Sequence, residues 1–351
     1  MQWKIFVRGL GVVLVLLTVV PVSLHAQASF YQGKTITIIV SSDAGGTSDL
    51  RVKSLVPFVQ KYIPGNPTVV LEYMPGGGGR KAANHVFRTV RPDGLTIGSM
   101  GTTLLSAVIQ KESGVLYDLN KFIYLGSSDA TTQHIFSTRK ESGLTNLEKL
   151  RGTTGLRIGA QSIGHNIYIT GRLFAFYLGL TDSRFVVGYS GPEVDLALLR
   201  GEVDARASLV ASIVQRTPEW IDKGLVDFHA LLETPKGNRH PRFAHLPELE
   251  AFAKSDRERK VLVLQRAIRL GGSAMVLPPN TPRERVEVLQ EAMRRALRDP
   301  EFHATFRKLV GEDPTPLLPE ELQKVIQDVP REPEVIALFN KISGAERLPE
   351  R

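Results

Sequence analysis

The sequence predicts an α/β protein, on three observations. A unit of short strand, glycine-bearing loop and helix recurs through the first third of the chain. Its strands are apolar on both faces, as parallel strands covered by helices must be. Between Phe122 and Arg139 the pattern breaks into short apolar segments, with Ile123-Tyr124-Leu125 and Ile135-Phe136 either side of Ser127-Ser128-Asp129, which reads as a crossing between two lobes.

The first element is a buried strand ending at Val40, followed by Ser41-Ser42-Asp43-Ala44-Gly45-Gly46-Thr47-Ser48-Asp49 and a helix over about Leu50 to Lys61. Two glycines let backbone approach a ligand, and Thr47, Ser48 and Asp49 can cap the helix. Such a loop aims N–H groups and a positive helix end at one point, which suits a carboxylate, sulfate or phosphate. An ordinary capped βα turn is the other reading of this stretch. Pro64-Gly65-Asn66-Pro67 ends the helix. A second strand, Thr68 to Leu71, runs into Glu72-Tyr73-Met74-Pro75-Gly76-Gly77-Gly78-Gly79 and a helix over Lys81 to Thr89. A nucleotide P-loop is excluded because Lys81 precedes alanine rather than Ser or Thr. After the turn Arg91-Pro92-Asp93-Gly94, strand Leu95 to Met100 ends in Gly101-Thr102-Thr103. Three small, hydroxyl-bearing strand ends in one lobe favour a ligand site at the carboxyl edge of a parallel sheet.

Further strands are expected at Leu156 to Gly159 and Phe185 to Val187, with helices over Ile167 to Leu178 and Pro192 to Arg200. Ala160 to Asn166 is a fourth polar loop. The remainder reads as helix-rich cover with a return strand, Arg269 to Leu277. Helices follow over Pro282 to Leu297, capped by Thr281, and over Glu301 to Val310. The last begins at Pro319 to Gln327.

Lys4 and Arg8 precede an apolar run from Gly9 to Val22 and then Ala26-Gln27-Ala28, the order of a secretory signal peptide cleaved after Ala28. The run is short of the roughly 20 residues of a membrane span. The 351 residues include no cysteine, so disulfides, thiolate nucleophiles and a lipid-modified cysteine are excluded, and a periplasmic location fits. Cleavage lowers the basic count from 44 to 42 against 36 acidic residues, a net +6. The basic residues are interleaved with acids, as in Arg257-Glu258-Arg259-Lys260, so no nucleic-acid partner is expected.

Enzyme signatures are missing. Gly188-Tyr189-Ser190-Gly191-Pro192 does not complete a nucleophile elbow, and no histidine pair has zinc-hydrolase spacing. Neither a metal nor a cofactor is expected. Asp43 and Asp49 could in principle act as paired acids, but 7% aromatic residues is poor in sugar-stacking side chains.

In order along the chain these motifs resemble the periplasmic receptors of tripartite tricarboxylate transporters, the Bug-type or TctC-like family. The residues that carry the resemblance are Ala44-Gly45-Gly46-Thr47-Ser48-Asp49, Glu72 to Gly79, Pro92-Asp93-Gly94-Leu95-Thr96, Tyr117-Asp118, Ser162 to His165, Tyr189-Ser190-Gly191, Gly201-Glu202-Val203-Asp204 and Pro278 to Pro282. The resemblance implies a type II, Venus-flytrap periplasmic-binding-protein fold with a mainly parallel sheet in each lobe and a hinge between them. Lobe I would comprise 29–130 and 272–351, and lobe II 131–271, after a signal peptide at 1–28.

It also implies a monomer that closes over a small carboxylate and passes it to inner-membrane transporter subunits. A ligand sensor for a signalling partner, or a secreted hydrolase, are the alternative functions. By position, Ala44, Gly45, Gly46, Thr47, Ser48 and the backbone of Gly76, Gly77 and Gly78 would hold the anion. Thr102 and Thr103 would flank it, and Ser162 and His165 would reach it from lobe II. His165 could equally be a structural donor, and Tyr189 could line the cleft or pack at the hinge. Asp49 and Asp204 read as braces. Ser41-Ser42-Asp43 departs from the family's Pro-Phe start, Tyr73 replaces an asparagine and Ser190 a lysine. Asp43 would therefore admit a ligand with a hydroxyl, amide or cationic group.

Overall fold

The computed structural model describes residues 30–42, 44–45, 47–237, 239–311 and 313–351. The expected signal peptide, together with Asp43 and Gly46, lies outside them. Strand β1 (Thr35–Val40) is followed by α1 (Thr47–Tyr62), β2 (Thr68–Tyr73), a 3₁₀ turn at Gly77–Gly79, α2 (Arg80–Arg88), β3 (Thr96–Gly101), α3 (Thr103–Ile109) and β4 (Ile123–Ser127). The chain then crosses to a second sheet. There it forms β5 (Thr132–Arg139), α4 (Leu147–Arg151), β6 (Arg157–Gly159), α5 (Asn166–Leu178), β7 (Arg184–Val186) and α6 (Gly191–Leu199). Next come β8 (Ala205–Leu209), α7 (Val210–Arg216), α8 (Glu219–Asp222), β9 (Val226–Thr234) and α9 (Asp256–Leu270). A second crossing returns it to β10 (Ser273–Leu277), α10 (Arg283–Arg298), α11 (Pro300–Val310), α12 (Pro319–Gln327) and α13 (Pro333–Ser343).

The two five-stranded sheets run β2-β1-β3-β10-β4 and β7-β6-β8-β5-β9. In the first, β2, β1 and β3 are parallel and β10 is antiparallel to both neighbours. In the second, β7, β6 and β8 are parallel and β5 is antiparallel to both neighbours. Each sheet is thus mixed rather than mainly parallel, with two parallel and two antiparallel pairings, because the one reversed strand in each, the strand that has just arrived from the other lobe, sits between two strands running the other way. That exchange makes two lobes joined by a hinge.

Alternation along β1 explains the layering. Ile36, Ile38 and Val40 pack with Leu55, Phe58 and Val59 of α1 and with Phe302 and Phe306 of α11, whereas Ile39 joins Val86, Met100 and Leu104 on the opposite face. Burying each of those phenylalanines contributes about 1.5–3 kcal/mol. The second core continues through Val261, Leu262 and Leu264 of α9 into Phe136, Leu173 and Phe174 of lobe II, so apolar packing runs behind the hinge.

The structure departs from the sequence expectations at several points. Thr47 to Asp49 form the first turn of α1 rather than preceding it, and Arg269 and Leu270 close α9, with β10 starting only after Gly271-Gly272. Thr281 does not cap α10, because its hydroxyl donates back to the Pro278 carbonyl at 2.9 Å. The expected helical cover contains β9, and α13 follows the helix taken as the last. Residues 333–351, assigned by sequence to lobe I, pack on lobe II. Tyr168 donates to the Gly344 carbonyl at 3.0 Å, and Arg172 reaches the carbonyls of Ile342 and Glu346.

Candidate functional site

The carboxyl ends of β1, β2 and β3 interlock at the edge of the cleft. The Gly101 N–H donates to the Ser41 hydroxyl at 3.2 Å, and the Ser41 N–H donates to the Ser99 carbonyl at 3.1 Å. Gly76, Gly77, Gly78 and Gly79 all have positive φ, at 128°, 55°, 64° and 103°. A Cβ on Gly78 would come within 3.2 Å of the Thr103 side chain, and one on Gly79 within 3.3 Å of Ser41. Only glycine allows this left-handed run to lie against both neighbouring loops. The convergence brings the starts of α1, α2 and α3, with their positive dipole ends, to one edge, although the N–H groups of Gly79, Arg80 and Lys81 at α2 are taken by the Gly76 and Gly77 carbonyls.

These loops line a cavity of 450 Å³ with Ser41, Ser42, Ser48, Gly76, Gly78, Thr102 and Thr103, and Arg51, Asp129, Thr132, Arg269 and Ser273 line it too. A second cavity of 620 Å³ shares Gly78, Thr102, Thr103 and Arg269 and extends to Ile163, Gly164, Asn166 and Ile169 of lobe II. Among the described residues, no three His, Asp or Glu side chains come together as metal ligands.

The expected site residues fall into three groups. Ser48, Gly76, Gly77, Gly78, Thr102 and Thr103 line one or both cavities. Ala44 and Gly45 are exposed and line neither, and Thr47 contributes the start of α1. The N–H of Gly45, expected to hold the anion, donates instead to Asp49 at 2.7 Å. On the lobe II side, Ser162 and His165 are exposed outside both cavities, while their neighbours Ile163, Gly164 and Asn166 line one. His165 caps α5, its Nδ1 accepting from the Ile167 N–H at 3.2 Å. Although the residue as a whole is exposed, partial desolvation of the ring, and then the charge of Arg269, hold this imidazole below its ordinary pKa. Tyr189 is half-buried against the core of Val194, Leu198 and Trp220 rather than in the cleft.

Two carboxylates brace the scaffold. Asp49 is fully buried and accepts from the Gly45 N–H, the Lys53 ammonium and the Tyr73 hydroxyl, each at 2.7 Å. Burial works to raise its pKa, but the hydrogen bonds from Lys53, Tyr73 and Gly45 outweigh it and hold the carboxyl below its ordinary value. Tyr73, which stands where the resembling family has asparagine, is therefore a partner of Asp49. Asp204 accepts from Arg157 at 2.9 Å and 2.6 Å and ties β6 to the start of β8.

Sequence reasoning missed the charged part of the site. Arg51 of α1 lies 2.5 Å from Asp129 in the first crossing, and Thr315 donates to the other Asp129 oxygen at 2.8 Å. Arg269 ends α9 just before the second crossing and faces the same pair. Burial, and then the positive charge of Arg51, push its guanidinium down to about 10, against the pull of Asp129. It remains cationic at neutral pH. An arginine two residues before the Gly271-Gly272 pair is the sequence signal that could have marked it.

No family model matches the sequence, and no curated protein does either. Among solved structures, the chain is similar to a TctC solute-binding protein from Polaromonas, with a TM-score of 0.65 and 16% identity over 89% of this chain and 98% of that one. It is similar also to the periplasmic binding protein BugD, with a TM-score of 0.57 and 21% identity over 90% and 99% of the two chains. MatC from Rhodopseudomonas palustris, solved with bound malate, gives a TM-score of 0.55 and 20% identity over 88% and 99%. These likenesses are of fold: the chain has the two-lobed periplasmic-binding-protein fold of the TctC and Bug proteins.

Proposed function

We propose that this chain is a periplasmic solute-binding receptor that closes its two lobes over a small carboxylate and delivers it, unaltered, to the inner-membrane subunits of a tripartite tricarboxylate-type transporter. The observation that carries this reading is the convergence of three glycine or hydroxyl loops and two guanidiniums on one cavity of 450 Å³ at the hinge. Such a site supplies hydrogen-bond donors and positive charge to an anion. Structural neighbours solved with malate and with adipate support a carboxylate. No helix of the described residues is long and apolar enough to cross a membrane.

Mechanistically, lobe I offers the loop donors, and lobe II offers Thr132 with the Ile163 to Ile169 edge. A ligand touching both lobes binds the closed state better than the open one and shifts the population toward closure. The receptor role involves a monomer and no cofactor. A thermal-shift screen of small carboxylates tests it, because a ligand at about 100 times its dissociation constant adds roughly 2.7 kcal/mol. Small-angle scattering should then show a smaller radius of gyration at saturation. A ligand consumed during the titration would instead indicate an enzyme, and identical scattering profiles would refute closure.

A further inference from the structure

We propose that Arg269 is the carboxylate anchor of the cleft, and that the ligand it selects is a monoanion whose remaining oxygens are neutral hydroxyls. The inference rests on the receptor reading and names the ligand class within it.

Charge pairing at the hinge carries the argument. Asp129 holds Arg51 at 2.5 Å and takes the Thr315 hydroxyl on its other oxygen. At the mouth of the adjoining cavity Arg80 is paired with Glu112. Arg269 lines both cavities, yet among the described residues its guanidinium has no hydrogen bond or ion pair, and its Nε is buried without a partner. Arg51, Arg269 and Asp129 therefore leave one positive charge, located on Arg269. Among the described residues lobe II lines the cavities with no cation besides Arg269, and burial and then the charge of Arg269 lower the pKa values of His134 and His165.

A half-buried cation without a partner is costly, and a carboxylate placed on its fork offsets that cost through two charge-assisted hydrogen bonds. Among the described residues, the rest of the wall of the smaller cavity carries no charge beyond the Arg51–Asp129 pair. Ser41, Ser42, Thr102, Thr103, Thr132 and Ser273 present hydroxyls, which both donate and accept. Ligand hydroxyls match them in both roles. A second carboxylate only accepts, and among the described residues lining the two cavities it would meet no second cation without a carboxylate partner to offset its lost hydration.

Calorimetry on the full chain with length-matched probes tests this: gluconate, adipate and sorbitol at six carbons, and threonate, succinate and erythritol at four. At one length or the other, the hydroxy-monocarboxylate should bind at least about 10-fold tighter than its dicarboxylate, and the polyols should give no heat. Arg269→Gln should weaken the hydroxy acid about 100-fold, and Arg269→Lys, which keeps the charge without the fork, about 10-fold. Neither variant should lower the melting temperature of the unliganded protein, since Arg269 holds no partner there. A dicarboxylate preferred by the same margin, or full affinity in Arg269→Gln, overturns the inference and leaves the receptor reading intact. Should the glutamine variant not fold, unchanged affinity in the lysine variant overturns it equally. A wild-type chain silent to all four carboxylates also overturns it, while the broader thermal-shift screen separately decides the receptor reading.

Discussion

The guanidinium of Arg51 in α1 lies 2.5 Å from the carboxylate of Asp129 in the first crossing, so the helix behind the first loop is tied directly to the hinge. Asp129→Asn removes the carboxylate that pairs with Arg51 and attracts Arg269. We expect a loss of about 3 kcal/mol in urea unfolding, from uncompensated buried charge, together with tighter anion binding and a steeper salt dependence. Unchanged unfolding and unchanged affinity would show that the pair has no such role.

Asp49 organises the first loop, and its depressed pKa sets a pH signature. Because folding lowers that pKa, the stabilisation is fully present above the ordinary value of 3.8 and is lost as the pH falls through the lower folded value. Asp49→Asn should cost about 2–3 kcal/mol at pH 7 and progressively less toward pH 3, with Tyr73→Phe costing about 1 kcal/mol. Parallel stability-versus-pH curves for wild type and Asp49→Asn would contradict this.

Gly78→Ala should damage the site directly. Its φ of 64° disfavours a side chain, and the added methyl would meet Thr103 at 3.2 Å. The expected cost is about 1–3 kcal/mol of stability, with a drop in ligand affinity beyond what the stability loss explains. Wild-type affinity in this variant would mean that the glycine loop does not approach the ligand.

Arg351 clamps lobe II from behind. Its guanidinium donates to Glu258 at 2.7 Å and to the carbonyls of Phe252, Phe176 and Tyr177. Arg351→Ala leaves the buried Glu258 without this partner and should destabilise the protein by about 3 kcal/mol. The ligand dissociation constant should stay within about 2-fold, because the clamp lies away from the cleft. An affinity loss comparable to that of Arg269→Gln would mean that the two regions are coupled.

The local parts of this architecture were legible in the sequence. β1, its loop and α1 could be read because apolar periodicity and the Gly45-Gly46 and Pro64-Gly65 breaks are short-range signals. β9 escaped because Asp227, His229 and Glu233 interrupt its apolar residues, and its partner β5 lies far back in the chain. Thr281 looked like a cap until its hydroxyl proved to be committed to Pro278. The charged half of the cleft was invisible for a different reason. Arg51, Asp129 and Arg269 each look like ordinary surface residues, and only the two crossings bring them together. Arg172 of α5 was equally silent, since its buried guanidinium is satisfied by carbonyls near the end of α13 and beyond it.

The placement of residues 333–351 against α5 and α9 bears on how the molecule assembles itself during synthesis. Tyr168, Arg172, Phe176 and Tyr177 belong to a helix made in the middle of the chain, yet their cover is translated after all of β10 to α12. The second sheet must therefore wait with an uncovered aromatic flank while its companion is completed, a window in which a holding chaperone has a surface to grip. A fragment cut at the crossings alone would carry that flank permanently, so isolating this half intact requires joining the 333–351 segment back onto it.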